Sequence, residues 1–204
     1  MKIRVYIFIF VILTMLAVPQ AYGDSASTRE YQVKAAFLYN FIMFVDWPAE
    51  KMPAASEPII IGIIGKDPFE NAFEPVKDKQ VNGRKVVVKR FKGLEEIKKS
   101  DKAGMDKEFE EIRKCHLLFI CSSEKAVAKE IADLVKNNNV LIVGDMPGFL
   151  ESSGGIINFV LEEEKVRFEI SQTNAEQSKL QIRSQLLRLA KRVIGEKSSQ
   201  ELKN

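Results

Sequence analysis

The sequence predicts an α/β fold: a single layered domain with a mixed, mostly parallel sheet flanked by helices, a C-terminal β-hairpin and a closing amphipathic helix. Three observations carry this. Residues 59–64 form a continuous β-branched run with the character of a strand buried on both faces, and 115–120 and 140–143 read as further strands. Amphipathic segments alternate with these runs, as crossover connections between parallel strands do. Past Gly154-Gly155 the alternation stops. Two further runs, 156–161 and 165–170, are joined by Glu162-Glu163-Glu164, a link of hairpin length.

The elements follow in order. Lys2 and Arg4 precede an apolar stretch at 5–18 broken only by Thr14, and Ala21-Tyr22-Gly23 follows with small residues at both positions a signal peptidase reads. An apolar core of about 14 residues falls short of the ~20 needed to span a bilayer. Residues 1–23 therefore read as a cleaved secretory signal peptide and 24–204 as one domain, with a core at about 31–194. Thr28 is placed to cap a first helix carrying Tyr31, Ala35, Leu38 and Ile42 on one face, with Phe37, Phe41, Phe44 and Val45 beside them. Asp46-Trp47-Pro48 ends it, because the residue before proline is pushed out of the α region. The strand 59–64 ends at Gly65, and Asp67-Pro68-Phe69 has the cap-plus-proline form of a helix start.

Asn82-Gly83 marks a turn before the strand 85–91. Short helices are expected at 93–100 and 107–113, the strand 115–120 next, and a helix at 124–136 capped by Ser123. The strand 140–143 runs into the tight loop Asp145-Met146-Pro147-Gly148-Phe149. After the hairpin, 174–179 leads to an amphipathic helix through Ile182, Leu186, Leu187, Leu189, Ala190 and Val193.

Of 204 residues, 31 are Lys or Arg and 28 Asp or Glu; without Lys2 and Arg4 the balance is 29 to 28. Interspersed charges with so small an excess indicate a solvated surface and give no sign of a nucleic-acid partner. The two cysteines, Cys115 and Cys121, sit six positions apart in one expected strand, roughly 20 Å at ~3.3 Å per residue. A disulfide needs about 4.4–6.8 Å between Cα atoms, so the two do not pair with each other.

Catalytic groupings are not evident. His116 is the sole histidine, and on a strand it points away from its neighbour Cys115. One histidine and two distant thiols make no zinc cluster, and no metal or cofactor is expected. Gly62, Gly65 and Lys66 lack the spacing of a phosphate loop. Asp145 follows a parallel strand, where α/β sheets place ligands, though it also suits a turn-capping role. Trp47 and Phe149 are aromatic groups of the kind enriched at binding hot spots. Trp47, Asp145 and Phe149 are thus the candidate partner- or ligand-binding residues.

Several segments in fixed order resemble the YfiR-like family of periplasmic regulators. They are Tyr31-Gln32-Val33-Lys34-Ala35-Ala36-Phe37-Leu38-Tyr39-Asn40-Phe41, Phe44-Val45-Asp46-Trp47-Pro48, Gly65-Lys66-Asp67-Pro68-Phe69, Val81-Asn82-Gly83-Arg84, residues 115–120 and residues 145–149. Residues 155–159, 166–170, Asn174 and 182–190 complete the set. The resemblance implies a non-catalytic periplasmic repressor that binds the sensor domain of an inner-membrane signalling enzyme, a diguanylate cyclase or a sensor kinase. It also implies an outer-membrane-associated sequestering partner, and a homodimer is open. Family members with more cysteines pair them in disulfides, which two cysteines that cannot bridge do not reproduce. From the residues alone, the alternative is a periplasmic small-molecule binding protein that uses the strand-end crevice near Asp145.

Overall fold

The computed structural model describes residues 26–52, 57–77 and 79–195. The expected signal peptide, residues 1–23, lies outside them. Helix α1 (Ala26–Phe44) already includes Thr28, so that residue lies within the helix rather than capping it. It runs directly into strand β1 (Val45–Asp46), and strands β2 (Ile59–Ile64), β3 (Gln80–Val81) and β4 (Arg84–Phe91) follow. Next come helices α2 (Leu94–Ile97) and α3 (Lys102–Arg113), strand β5 (Leu117–Ile120), helix α4 (Ala128–Val135), strand β6 (Leu141–Gly144) and the short helix α5 (Phe149–Ser152). Strands β7 (Ile157–Glu162) and β8 (Lys165–Ser171), helix α6 (Gln172–Gln177), strand β9 (Gln181–Ile182), helix α7 (Ser184–Leu187) and strand β10 (Arg192–Ile194) complete the domain.

The main sheet has the order β10-β8-β7-β6-β5-β2-β4-β3. Strands β4, β2, β5, β6 and β7 are mutually parallel, and β8 returns antiparallel to β7 as the expected hairpin. The α/β class and the mixed, mostly parallel sheet are therefore as the sequence predicts. Strands β5 and β6 are buried at every position because helices cover both faces. On one face α1 packs Leu38, Phe41 and Ile42 against Ile61, Phe119 and Phe159. On the other, Ile97, Ile112, Ile131 and Phe149 enclose Leu118, Ile120 and Ile142. No helix among the described residues is long and apolar enough to cross a membrane.

The closing amphipathic helix is not present. Residues 182–193 instead form half of a two-stranded ribbon (Val45↔Ile182), one helical turn, and β10, which lies parallel on β8. A sheet whose outer hairpin strand still has unpaired peptide groups offers them to any adjacent chain, and pairing there covers the edge. Arg192 fastens this arrangement by bonding Glu169 twice and Glu151 once. Glu169 thus pairs with Arg192, not with Arg167 on its own strand. Leu189, which a helix would have buried with Leu186, is exposed.

The helix expected after Asp67-Pro68 is also replaced, by turns and a single 3₁₀ turn, Glu74–Val76. Asp67 Oδ1 accepts the N–H of Phe69, two residues on, closing a local turn instead of a helix cap. Glu70 then takes a positive φ of 44°, which breaks any helix, and buried Phe69 and Phe73 hold the segment to the core. The helix expected at 124–136 begins as a 3₁₀ segment, Ser122–Val127, before α4.

Candidate functional site

The chain runs from β2 outward to β4 and returns to β5 on the other side of β2, so the strand order reverses between β2 and β5. Parallel α/β sheets place ligands outside the carboxyl ends of their strands at such a reversal. Here a broad crevice of about 980 Å³ opens at the strand ends, and its floor is braced by the protein's own groups. Lys66 N–H donates to Ser123 Oγ at 3.0 Å, and Glu124 Oε2 accepts the N–H of Leu94 at 3.0 Å. Gly65 takes φ +103°, and a Cβ there would lie 2.6 Å from Ser123 Oγ; one on Gly93 would lie 2.6 Å from Glu124 Oε1. Both glycines make room for the Ser123–Glu124 turn.

A second crevice opens beyond β5 and β6, on the face covered by α1. Its volume is about 420 Å³, and its walls are the first turns of α1, the loop after β6 and the outer half of β7. Asp145 sits at its base with its side chain 5% exposed. Its Oδ2 accepts from Lys34 Nζ at 2.7 Å and from Tyr31 Oη at 2.9 Å. Lys34, 4% exposed, also reaches Glu30 Oε1 at 2.5 Å and stands 4.3 Å above the centre of the Tyr31 ring. Two carboxylates and one aromatic face therefore saturate the ammonium. Asp145 Oδ1 is buried and accepts no hydrogen bond among the described residues. Burial, and then the neighbouring Asp145 charge, holds the Tyr31 phenol well above its ordinary range, so it remains a donor.

Asp145 is therefore an ion-pair residue reaching across to α1, and not the turn cap considered from the sequence. Its loop is fixed separately: Asn158 Oδ1 accepts the Met146 N–H. Tyr31, Lys34, Glu30 and Asn158 were not singled out from the sequence. A signal existed for one of them. Lys34 occupies a position on the buried face of α1, three after Tyr31 and four before Leu38, where an apolar residue is the norm.

Phe149 does not belong to a surface. Its side chain is 1% exposed, and its ring lies where a Cβ on Gly155 would be 2.3 Å away and one on Gly144 2.7 Å away. The expectation that its ring contacts a receptor is corrected: two glycines admit a large aromatic into the core at the start of α5. Trp47 is half-buried at the opposite end of the sheet, where α1 ends, its ring 6.3 Å from that of His116. A small cavity there, about 120 Å³, is bordered by Trp47, His116, Met52 and the Asp46–Arg183 ion pair. The fold thus does not bring Trp47 and Asp145 together; they lie at opposite ends of the parallel strands.

His116 is buried and its Nδ1 accepts the Ile60 N–H at 3.1 Å. Burial, helped by the Lys51 charge, pushes its pKa down to about 4. Cys115 and Cys121 are both free and buried, in the cores on opposite faces of the sheet. Burial raises both thiols, Cys115 to about 12, which leaves neither a reactive thiolate. No group of three or more His, Cys, Asp or Glu among the described residues is placed to hold a metal ion.

Comparison with known proteins gives three findings. No curated protein matches the sequence. Among solved structures, the ABC domain of Streptococcus pneumonia in complex with L-Trp is similar at 12% identity and a TM-score of 0.51, over 81% of this chain and 60% of that one. A conserved domain protein of Vibrio cholerae O1 biovar El Tor is similar at 12% identity and a TM-score of 0.49, over 80% and 60%. The chain thus spans less than two thirds of either protein, and the likeness to the streptococcal domain speaks to fold alone. The profile of the YfiR/HmsC-like family matches residues 31–191.

Proposed function

The chain belongs to the YfiR/HmsC-like family, whose members regulate cyclic di-GMP signalling, and from that premise we propose that it is an exported, non-catalytic repressor of a membrane signalling enzyme. The observation that carries this reading is the extent of the match, from Tyr31 in α1 to Lys191 just before β10. The protein works in the periplasm after loss of residues 1–23, and binds the sensor domain of an inner-membrane diguanylate cyclase in its inactive conformation. Its effect is bounded by its differential affinity for the two receptor states. Trp47, half-buried just after β1, is the proposed aromatic anchor.

The test is direct. Immobilised protein should retain the detergent-solubilised receptor, and the cyclase activity of that receptor should fall on addition of the protein. Trp47→Ala should weaken binding roughly thirtyfold, the loss of a hot spot worth about 2 kcal/mol. Retention without any change in cyclase activity refutes repression. One observation favours a second reading, a small-molecule binding protein: the crevice beside Asp145 lies at the strand ends and has the volume of a ligand site.

A further inference from the structure

We propose that the crevice between α1, the loop after β6 and the outer half of β7 binds a small organic amine, as its ammonium cation, in preference to an amino acid. The inference rests on the small-molecule reading of this crevice and is independent of the receptor reading.

The charges that line the crevice are Glu30, Lys34 and Asp145, a net of one negative. Lys34 has no donor left for a ligand, since its ammonium is directed at Glu30, Asp145 and the Tyr31 ring. A ligand carboxylate would therefore meet two like charges and no free cation, which disfavours zwitterions. Negative charge, by contrast, is in surplus. Asp145, with its side chain 5% exposed, keeps one oxygen without a donor among the described residues. A buried carboxylate so incompletely bonded holds its negative potential on the crevice.

The wall opposite supplies acceptors. Strand β6 pairs with β7 only at Ile157 and Asn158, and then turns away at Asp145. Ser171 N–H donates to Ile156 C=O, so the antiparallel alternation directs residues 158, 160 and 162 to β8. The carbonyls of Phe159 and Leu161 accordingly turn toward the crevice side, where no strand follows. The Phe159 ring and the exposed Leu161 side chain supply apolar surface for the body of the ligand. Carbonyl acceptors on one wall, the net negative charge beneath them and apolar sides define a site for a short alkylammonium.

The test uses three probes that each carry an n-butyl chain: n-butylammonium, neutral 1-butanol and zwitterionic norleucine. Each is titrated into the ¹⁵N-labelled protein and followed by amide shifts. Butylammonium should give saturable shifts at Tyr31, Met146 and residues 159–161, with affinity at least tenfold above either analogue. Asp145→Asn should weaken it at least tenfold. Leu161→Lys, at an exposed side chain that leaves the core intact, should do the same, and it decides the matter if Asp145→Asn does not fold. Equal shifts with 1-butanol or norleucine overturn the amine assignment and leave the crevice reading standing. Absence of saturable shifts with all three probes overturns both, without bearing on receptor retention.

Discussion

Replacing Lys34 by Met removes the cation from a buried cluster and should be the most damaging single change on α1. The ammonium lies 2.7 Å from Asp145 and 2.5 Å from Glu30, with Lys34 4% and Asp145 5% exposed. Removing one partner of a buried pair costs about 3–5 kcal/mol, because the other charge is left uncompensated. At about 2–4 °C per kcal/mol for a domain of this size, the midpoint should fall by roughly 6–20 °C. Asp145→Asn should cost less, about 1–3 kcal/mol, since Lys34 keeps Glu30 and the Tyr31 hydroxyl can still donate to the amide oxygen. The double variant Lys34→Met/Asp145→Asn leaves no unpaired charge at Asp145 and should be more stable than the two single losses summed. Urea unfolding of the four proteins at pH 7, followed by circular dichroism, measures the cycle. Additivity within about 0.5 kcal/mol would show that the two residues are not coupled and that the cluster does not hold α1 to the sheet.

Three further outcomes are expected. Phe149→Ala should lower stability by about 3–5 kcal/mol through the cavity it leaves among Gly144, Gly155 and α5, and an unchanged melting temperature would contradict its core placement. His116 remains neutral in the fold with a pKa near 4 but takes up a proton near 6.5 when unfolded. Its contribution is thus complete above pH 6.5 and lost as pH falls toward 4, at most about 3 kcal/mol. A pH–stability profile of His116→Gln no flatter than the parent's over that window would refute it. Iodoacetamide at pH 8 should leave Cys115 and Cys121 unmodified in the native protein and alkylate both in urea, as mass spectrometry would show; native labelling of either would contradict its burial.

Local chemistry determined much of this protein. Continuous β-branched runs, the Asn82-Gly83 turn and the short link between residues 161 and 165 specify parallel strands, a turn and a hairpin wherever they occur, and the structure has all three. Cys115 and Cys121 are unbridged as expected, although the strand stops short of both and places them on opposite faces of the sheet. Elsewhere tertiary structure decided. Ile182, Leu186 and Val193 have helical spacing, but the hairpin's open edge and the ribbon with β1 offered their backbones better partners than a helix could. Phe149 reads as an exposed loop aromatic until Gly144 and Gly155, separated from it along the chain, are seen to make its pocket. The Asp145 site depends on Lys34 and Tyr31, more than 100 residues away, and no local pattern encodes a contact of that separation. Such contacts arise only when the sheet has brought α1 across the ends of its strands, because the favourable term is a buried charge finding its partner and not the propensity of either segment.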